Sequence, residues 1–104
     1  MESFDRVKEW IEGGKQVGKS DYFNEENERY LLSIGVQKWD NEYKLYLFKA
    51  NETKMNDLDY YDIEGVIRVT SFENLVNLIS VLSPFKFAEL APIKGQKIFN
   101  PALD

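Results

Sequence analysis

A chain of 104 residues, 43% of them hydrophobic, makes one domain spanning 1–104 with one core. It has no cysteine, which excludes disulfides and thiolate chemistry, and no histidine, which removes the commonest proton shuttle near neutral pH and the commonest nitrogen ligand for metals. The net charge of −5 is uneven: residues 21–64 hold 11 acidic against 5 basic side chains, and the remainder is net +1. An acidic middle repels phosphate backbones, so a basic protein is the expected partner and nucleic acid is not.

Ser3 is placed to cap a helix in which Phe4, Val7, Trp10 and Ile11 recur on one face. The spacing predicts a helix over 3–12, ended by Gly13 and Gly14, with Trp10 in the core. Met1–Glu12 has no apolar run of signal-peptide length, and no stretch approaches a membrane span. With the missing cysteines, this points to a cytoplasmic protein that meets no membrane, in which the sequon Asn51–Glu52–Thr53 is a chance match.

Residues 13–28 show no sustained period and read as a connection, with a short helical turn near Tyr22–Glu26. From Arg29 the period becomes two. Tyr30, Leu32, Ile34 and Val36 alternate with smaller or polar residues, Asp40–Asn41 is a turn pair, and Tyr43, Leu45 and Leu47 continue the alternation. A two-residue loop sets Val36 opposite Leu45 and Ile34 opposite Leu47, and Gly35 opposite Tyr46 and Ser33 opposite Phe48 on the other face.

Asn51–Asp59 reads as a loop. Tyr61, Ile63, Ile67 and Val69 then make a third strand, with a bulge at Gly65. Thr70 and Glu73 form a capping-box pattern before a helix of about 71–82 carrying Phe72, Leu75, Val76, Ile79 and Leu82, stopped at Ser83–Pro84. Phe85, Phe87, Leu90, Ile93, Ile98 and Phe99 imply a tail packed on the body. The fold class is therefore α+β, in the order α-β-β-β-α plus packed tail, with a twisted antiparallel sheet of three or more strands against helices. The expected core is Leu32, Ile34, Val36, Leu45, Leu47, Ile63, Ile67, Leu75, Val76 and Ile79.

Gly13-Gly14-Lys15-Gln16-Val17-Gly18-Lys19-Ser20 matches the phosphate-loop pattern. That loop needs a buried strand before it and a helix after it, and the sequence places a helix before and a polar stretch after, so no nucleotide cofactor is expected. The acidic run Asp57–Glu64 fails the EF-hand spacing, because its sixth position is Asp62 and its twelfth Arg68, so no metal is assigned. Catalysis lacks a base, nucleophile and orienter together, and the chain reads as no enzyme. Carboxylates among tyrosines can be a solvated face, or they can suit a basic partner. The candidate partner-binding residues are Asp57, Asp59, Tyr60, Asp62 and Glu64, with Trp39 and Glu42 at the hairpin end.

The short helix, hairpin, acidic third strand and Ser71–Leu82 helix running into Pro84-Phe85-Lys86-Phe87-Ala88-Glu89-Leu90-Ala91-Pro92 resemble small bacterial immunity proteins of contact-dependent and polymorphic toxin systems. The resemblance covers residues 30–92 in general style and carries over no site residues. It implies a small, acidic, non-enzymatic inhibitor that covers the active cleft of a basic, nuclease-type toxin. Two other readings stand beside it: a phage-encoded inhibitor or adaptor that mimics nucleic acid, and a regulatory homodimer joined through the apolar second sheet face.

Overall fold

The computed structural model describes residues 3–52, 63–93 and 98–103. The chain is α+β: α1 (Ser3–Glu12), β1 (Val17–Glu25), β2 (Glu28–Trp39), β3 (Glu42–Asn51), β4 (Ile63–Val69), α2 (Phe72–Leu82) and the short β5 (Ala91–Pro92), with single 3-10 turns at Phe87–Glu89 and Pro101–Leu103. The sheet is five-stranded in the order β4-β3-β2-β1-β5, and every neighbouring pair is antiparallel.

The predicted hairpin register is the observed one. Val36 pairs with Leu45, Ile34 with Leu47, Gly35 with Tyr46 and Ser33 with Phe48. Asp40 and Asn41 take φ values of 54° and 65°, the positive pair of a type I′ turn, whose twist matches the strands it joins.

Residues 17–25, expected to lie in a connection with a helical turn, instead form β1, paired along its whole length with β2. Its turn is Glu26–Asn27, again with both φ values positive, at 51° and 67°. Extended pairing satisfies the backbone groups that a bare connection would leave to water, which outweighs the weak apolar alternation of β1 itself.

One sheet face carries Val17, Leu32, Ile34, Val36, Leu45, Leu47 and Val69, and packs on Val7 and Ile11 of α1, Leu75 and Ile79 of α2, and Phe85, Phe87 and Leu90. Trp10 and Val76, expected in the core, are only partly buried against it. Ile63 and Ile67 depart further, at 47% and 37% exposed. Their register sets Ile67 beside Leu45 on the inward face, but β4 ends the strand order and, among the described residues, has a neighbour on one side only. Gly65 makes no bulge, since β3 and β4 pair without interruption from Tyr43↔Val69 to Lys49↔Ile63. The cap of α2 is Ser71 rather than Thr70, its Oγ accepting from the Asn74 amide at 3.3 Å.

The second sheet face receives the end of the chain. Gly18 and Gly35 pair side by side there, and a Cβ on Gly18 would stand 2.5 Å from Ile98 Cδ1, one on Gly35 3.0 Å from Phe99 Cδ1. The glycines form a floor on which residues 98–101 lie as a strap. Phe99 stacks on Tyr46 with ring centroids 5.5 Å apart, and the buried Lys44 donates to the Pro101 carbonyl at 2.7 Å. The second face is therefore partly covered by the chain's own tail.

Candidate protein-binding surface

Of the sequence-predicted residues, Asp57, Asp59, Tyr60 and Asp62 lie outside the described residues. Trp39, Glu42 and Glu64 are described. All three stand on the sheet face turned away from the helices, but not together: Trp39 pairs with Glu42 at the β2–β3 turn, and Glu64 pairs with Phe48, itself opposite Ser33. Six residues of β2 separate Ser33 from Trp39, which is about 20 Å at strand spacing. Trp39 and Glu42 therefore belong to a different end of the sheet from Glu64. This separation was not visible in the sequence, which does not show how far along a shared ladder two positions fall.

Trp39 is 41% exposed at its turn. Glu42 stands 3.9 Å from Arg68 Nε. Glu64 accepts from the Tyr46 hydroxyl at 2.8 Å. Burial, with this bond to a carboxylate adding to it, pushes Tyr46 up to about 12, because phenolate charge would be poorly solvated and would face Glu64.

A second group of carboxylates gathers at the opposite end. The β1–β2 turn brings Glu25, Glu26 and Glu28 to one exposed tip, and Glu52 follows β3 at the same end, where Asn51 pairs with Tyr30. The strand ends flanking residues 53–62, Asn51 and Ile63, stand at this end too, since Ile63 pairs with Lys49. Cations temper the charge without cancelling it. Lys49 lies 3.4 Å from Glu25, and Arg29 lies 3.7 Å from Glu52, leaving four carboxylates against two cations. These contacts are solvent-exposed and contribute little to stability.

Aromatic rings are interleaved with these charges. Phe23 stacks on Tyr30 at 5.6 Å, Lys49 Nζ sits 4.6 Å from the Tyr30 centroid, and the Arg29 guanidinium lies 4.4 Å over the 42%-exposed Tyr22 ring. A shallow cavity of about 300 Å³ opens beside them, lined by Phe23, Glu25, Leu32, Lys49 and residues 81–84 of the α2 end. Sequence reasoning missed this end because it treated residues 13–28 as a connection. The signal was present around Glu26–Asn27, where Phe23 faces Tyr30, Ser20 faces Ser33, Gly18 faces Gly35 and Val17 faces Val36, like with like.

The phosphate-loop pattern is spent on other work. Gly13 and Gly14 terminate α1, and Gly18, Lys19 and Ser20 are extended within β1. Lys19 Nζ reaches Glu89 at 3.0 Å, and the Ser20 and Ser33 hydroxyls share a hydrogen bond of 2.7 Å across the strands. Glu89 is held below the usual carboxylate range, first by the Lys86 backbone amide and then by Lys19. Glu12, closing α1, is lowered by the Tyr43 hydroxyl and by Lys38, while burial raises Tyr43 to about 12 with Glu12 adding to the effect. Among the described residues no three carboxylates converge as a metal site would require, and no helix is long and apolar enough to cross a membrane.

No family model matches the chain, and no curated protein or solved structure matches it.

Proposed function

We propose that the protein is a non-enzymatic inhibitor that binds a basic protein partner, and that it acts as an immunity protein covering the active cleft of a nuclease-type toxin in the cytoplasm. The observation that carries this reading is the gathering of Glu25, Glu26, Glu28 and Glu52 at the sheet end where Asn51 and Ile63, the strand ends flanking residues 53–62, also stand. Carboxylates concentrated on a β-hairpin tip attract a phosphate-binding cleft at long range and raise the association rate. Tyr22, Phe23 and Tyr30 supply rigid contact area beside them, which slows dissociation.

The test begins with a partner retained from the source lysate and identified, followed by binding kinetics at low and moderate salt. Asp59→Lys with Asp62→Lys, and separately Glu26→Lys with Glu28→Lys, should each slow association by about tenfold or more at low salt and flatten its salt dependence. Unchanged association in both pairs, with the proteins folded, refutes this surface. A retained partner that is acidic refutes the class.

A further inference from the structure

We propose that two copies of this chain pair through β4, antiparallel, about a two-fold axis at Val66, to make one continuous ten-stranded sheet.

The edge itself is the first ground. β4 is a terminal strand of the sheet, and among the described residues it pairs only with β3. It runs seven residues, Ile-Glu-Gly-Val-Ile-Arg-Val, with no proline and no bulge, and its inner ladder is unbroken. Proteins that keep such an edge monomeric shorten it, kink it, or turn a charge inward. Here the inward positions hold Ile63, Gly65, Ile67 and Val69, and two of these side chains are 47% and 37% exposed.

The second ground is charge. Glu64 and Arg68 lie two residues either side of Val66, on the face turned away from the helices. An antiparallel pairing centred on Val66 sets Glu64 of each copy opposite Arg68 of the other, making two attractive cross-strand pairs. Moving the axis to Gly65 or Ile67 sets Glu64 opposite Val66 or Thr70 and loses that pair. The order around Val66 is therefore self-complementary, as an isologous contact must be.

The third ground is shape. The same register sets Ile67 of one copy opposite Gly65 of the other, a large side chain against none. It also brings Ile63 beside Val69, where an open cavity of about 440 Å³ is lined by Val69, Thr70, Asn74, Leu78 and Val81. Val81, 78% exposed on α2, flanks this cavity and would be covered with it. Strand addition supplies the main-chain bonds, and Ile63 in the cavity supplies apolar burial. The pairing does not depend on the inhibitor reading, because it uses the edge of the sheet and leaves the acidic hairpin tip open.

The experiment measures mass by light scattering on a sizing column, with concentrations reaching tens of micromolar. Wild type should reach twice the chain mass of 12.2 kDa. Glu64→Arg and Arg68→Glu, each turning two attractive pairs into two repulsive ones, should weaken dimerisation by about tenfold or more, and the double swap should restore it. Circular dichroism checks that each variant folds. Because the chain has no cysteine, Val66→Cys gives a second readout free of background. A residue on the axis meets its own copy at disulfide distance, so this variant should cross-link under mild oxidation, while Ile63→Cys, which faces Val69, should not. Wild type that stays monomeric throughout, a dimer indifferent to both charge reversals, or a Val66→Cys variant that fails to cross-link overturns the proposal.

Discussion

Gln16 should decide whether the C-terminal strap stays on the sheet. Its side chain makes four hydrogen bonds: Oε1 accepts from the Ile98 amide at 2.7 Å and, more weakly, from the Phe99 amide at 3.4 Å, while Nε2 donates to the Phe99 carbonyl and to Gln37 Oε1, both at 2.9 Å. Gln37 is itself buried and anchored to the Gly14 carbonyl at 3.1 Å, so the clamp is tied back to the end of α1. Gln16→Ala deletes all three bonds to the strap, two of them short. At about 0.5–1.5 kcal/mol for each short one, with little from the 3.4 Å contact, strap docking should weaken by about 1–3 kcal/mol. With 1.36 kcal/mol per decade, the open population rises by about 5- to 150-fold. The Phe99–Tyr46 stack and the Lys44 bond to Pro101 remain, so the loss should be local. The assay is native-state hydrogen exchange. The Ile98 and Phe99 amides should lose protection by that factor, and amides of the β2–β3 ladder should be unchanged. Gln16→Glu keeps the acceptor for Ile98 but turns a carboxylate toward the Phe99 carbonyl, so it should not restore protection. If Gln16→Ala leaves both amides as protected as before, the clamp does not hold the strap. If the whole ladder loses protection equally, the strap is no separate unit.

The edge position of β4 makes a second prediction. Ile34→Ala and Leu75→Ala truncate side chains with no exposed surface and should each cost about 2–5 kcal/mol, read as a lowered denaturant midpoint, whereas Ile67→Ala, measured at high dilution, should cost distinctly less. Equal losses at Ile34 and Ile67 would mean that β4 is covered. Ultraviolet titration supplies a third. Tyr43 and Tyr46 should ionise late, near 12. Their folded values lie above the ordinary 10.0, so the stability linked to them is full below about pH 10 and is lost as the pH climbs toward 12. Tyr43→Phe and Tyr46→Phe should each reduce the ionisation seen near 12, and no ionisation above about 10 would contradict both environments.

Much of the fold was legible in the chain. Alternation through Tyr30–Val36 and Tyr43–Leu47, with Asp40–Asn41 between them, left one register that keeps large residues together on the buried face, and that is the register found. Helix α1 was legible from its apolar spacing and its paired glycines, and α2 from its stripe and its stop at Ser83. These features are local: a period and a turn chemistry suffice to specify them. β1 was not legible in this way. Its inward positions are Val17, Lys19, Asp21, Phe23 and Glu25, too polar to announce a strand, and it exists because β2 offers a ladder and Glu26–Asn27 turns the chain onto it. The burial of β4 was misjudged for the same reason. Ile63 and Ile67 alternate as core residues do, yet a strand's place in the order of the sheet decides whether a second neighbour covers them, and only the tertiary structure assigns that place. The candidate surface divided likewise. The sequence showed that the charge is acidic and central, while the folding of two hairpins decided that Glu25–Glu28 and Glu52 share one end and Trp39 and Glu42 the other. Composition and period determine which residues seek a core, and long-range pairing determines which of them meet.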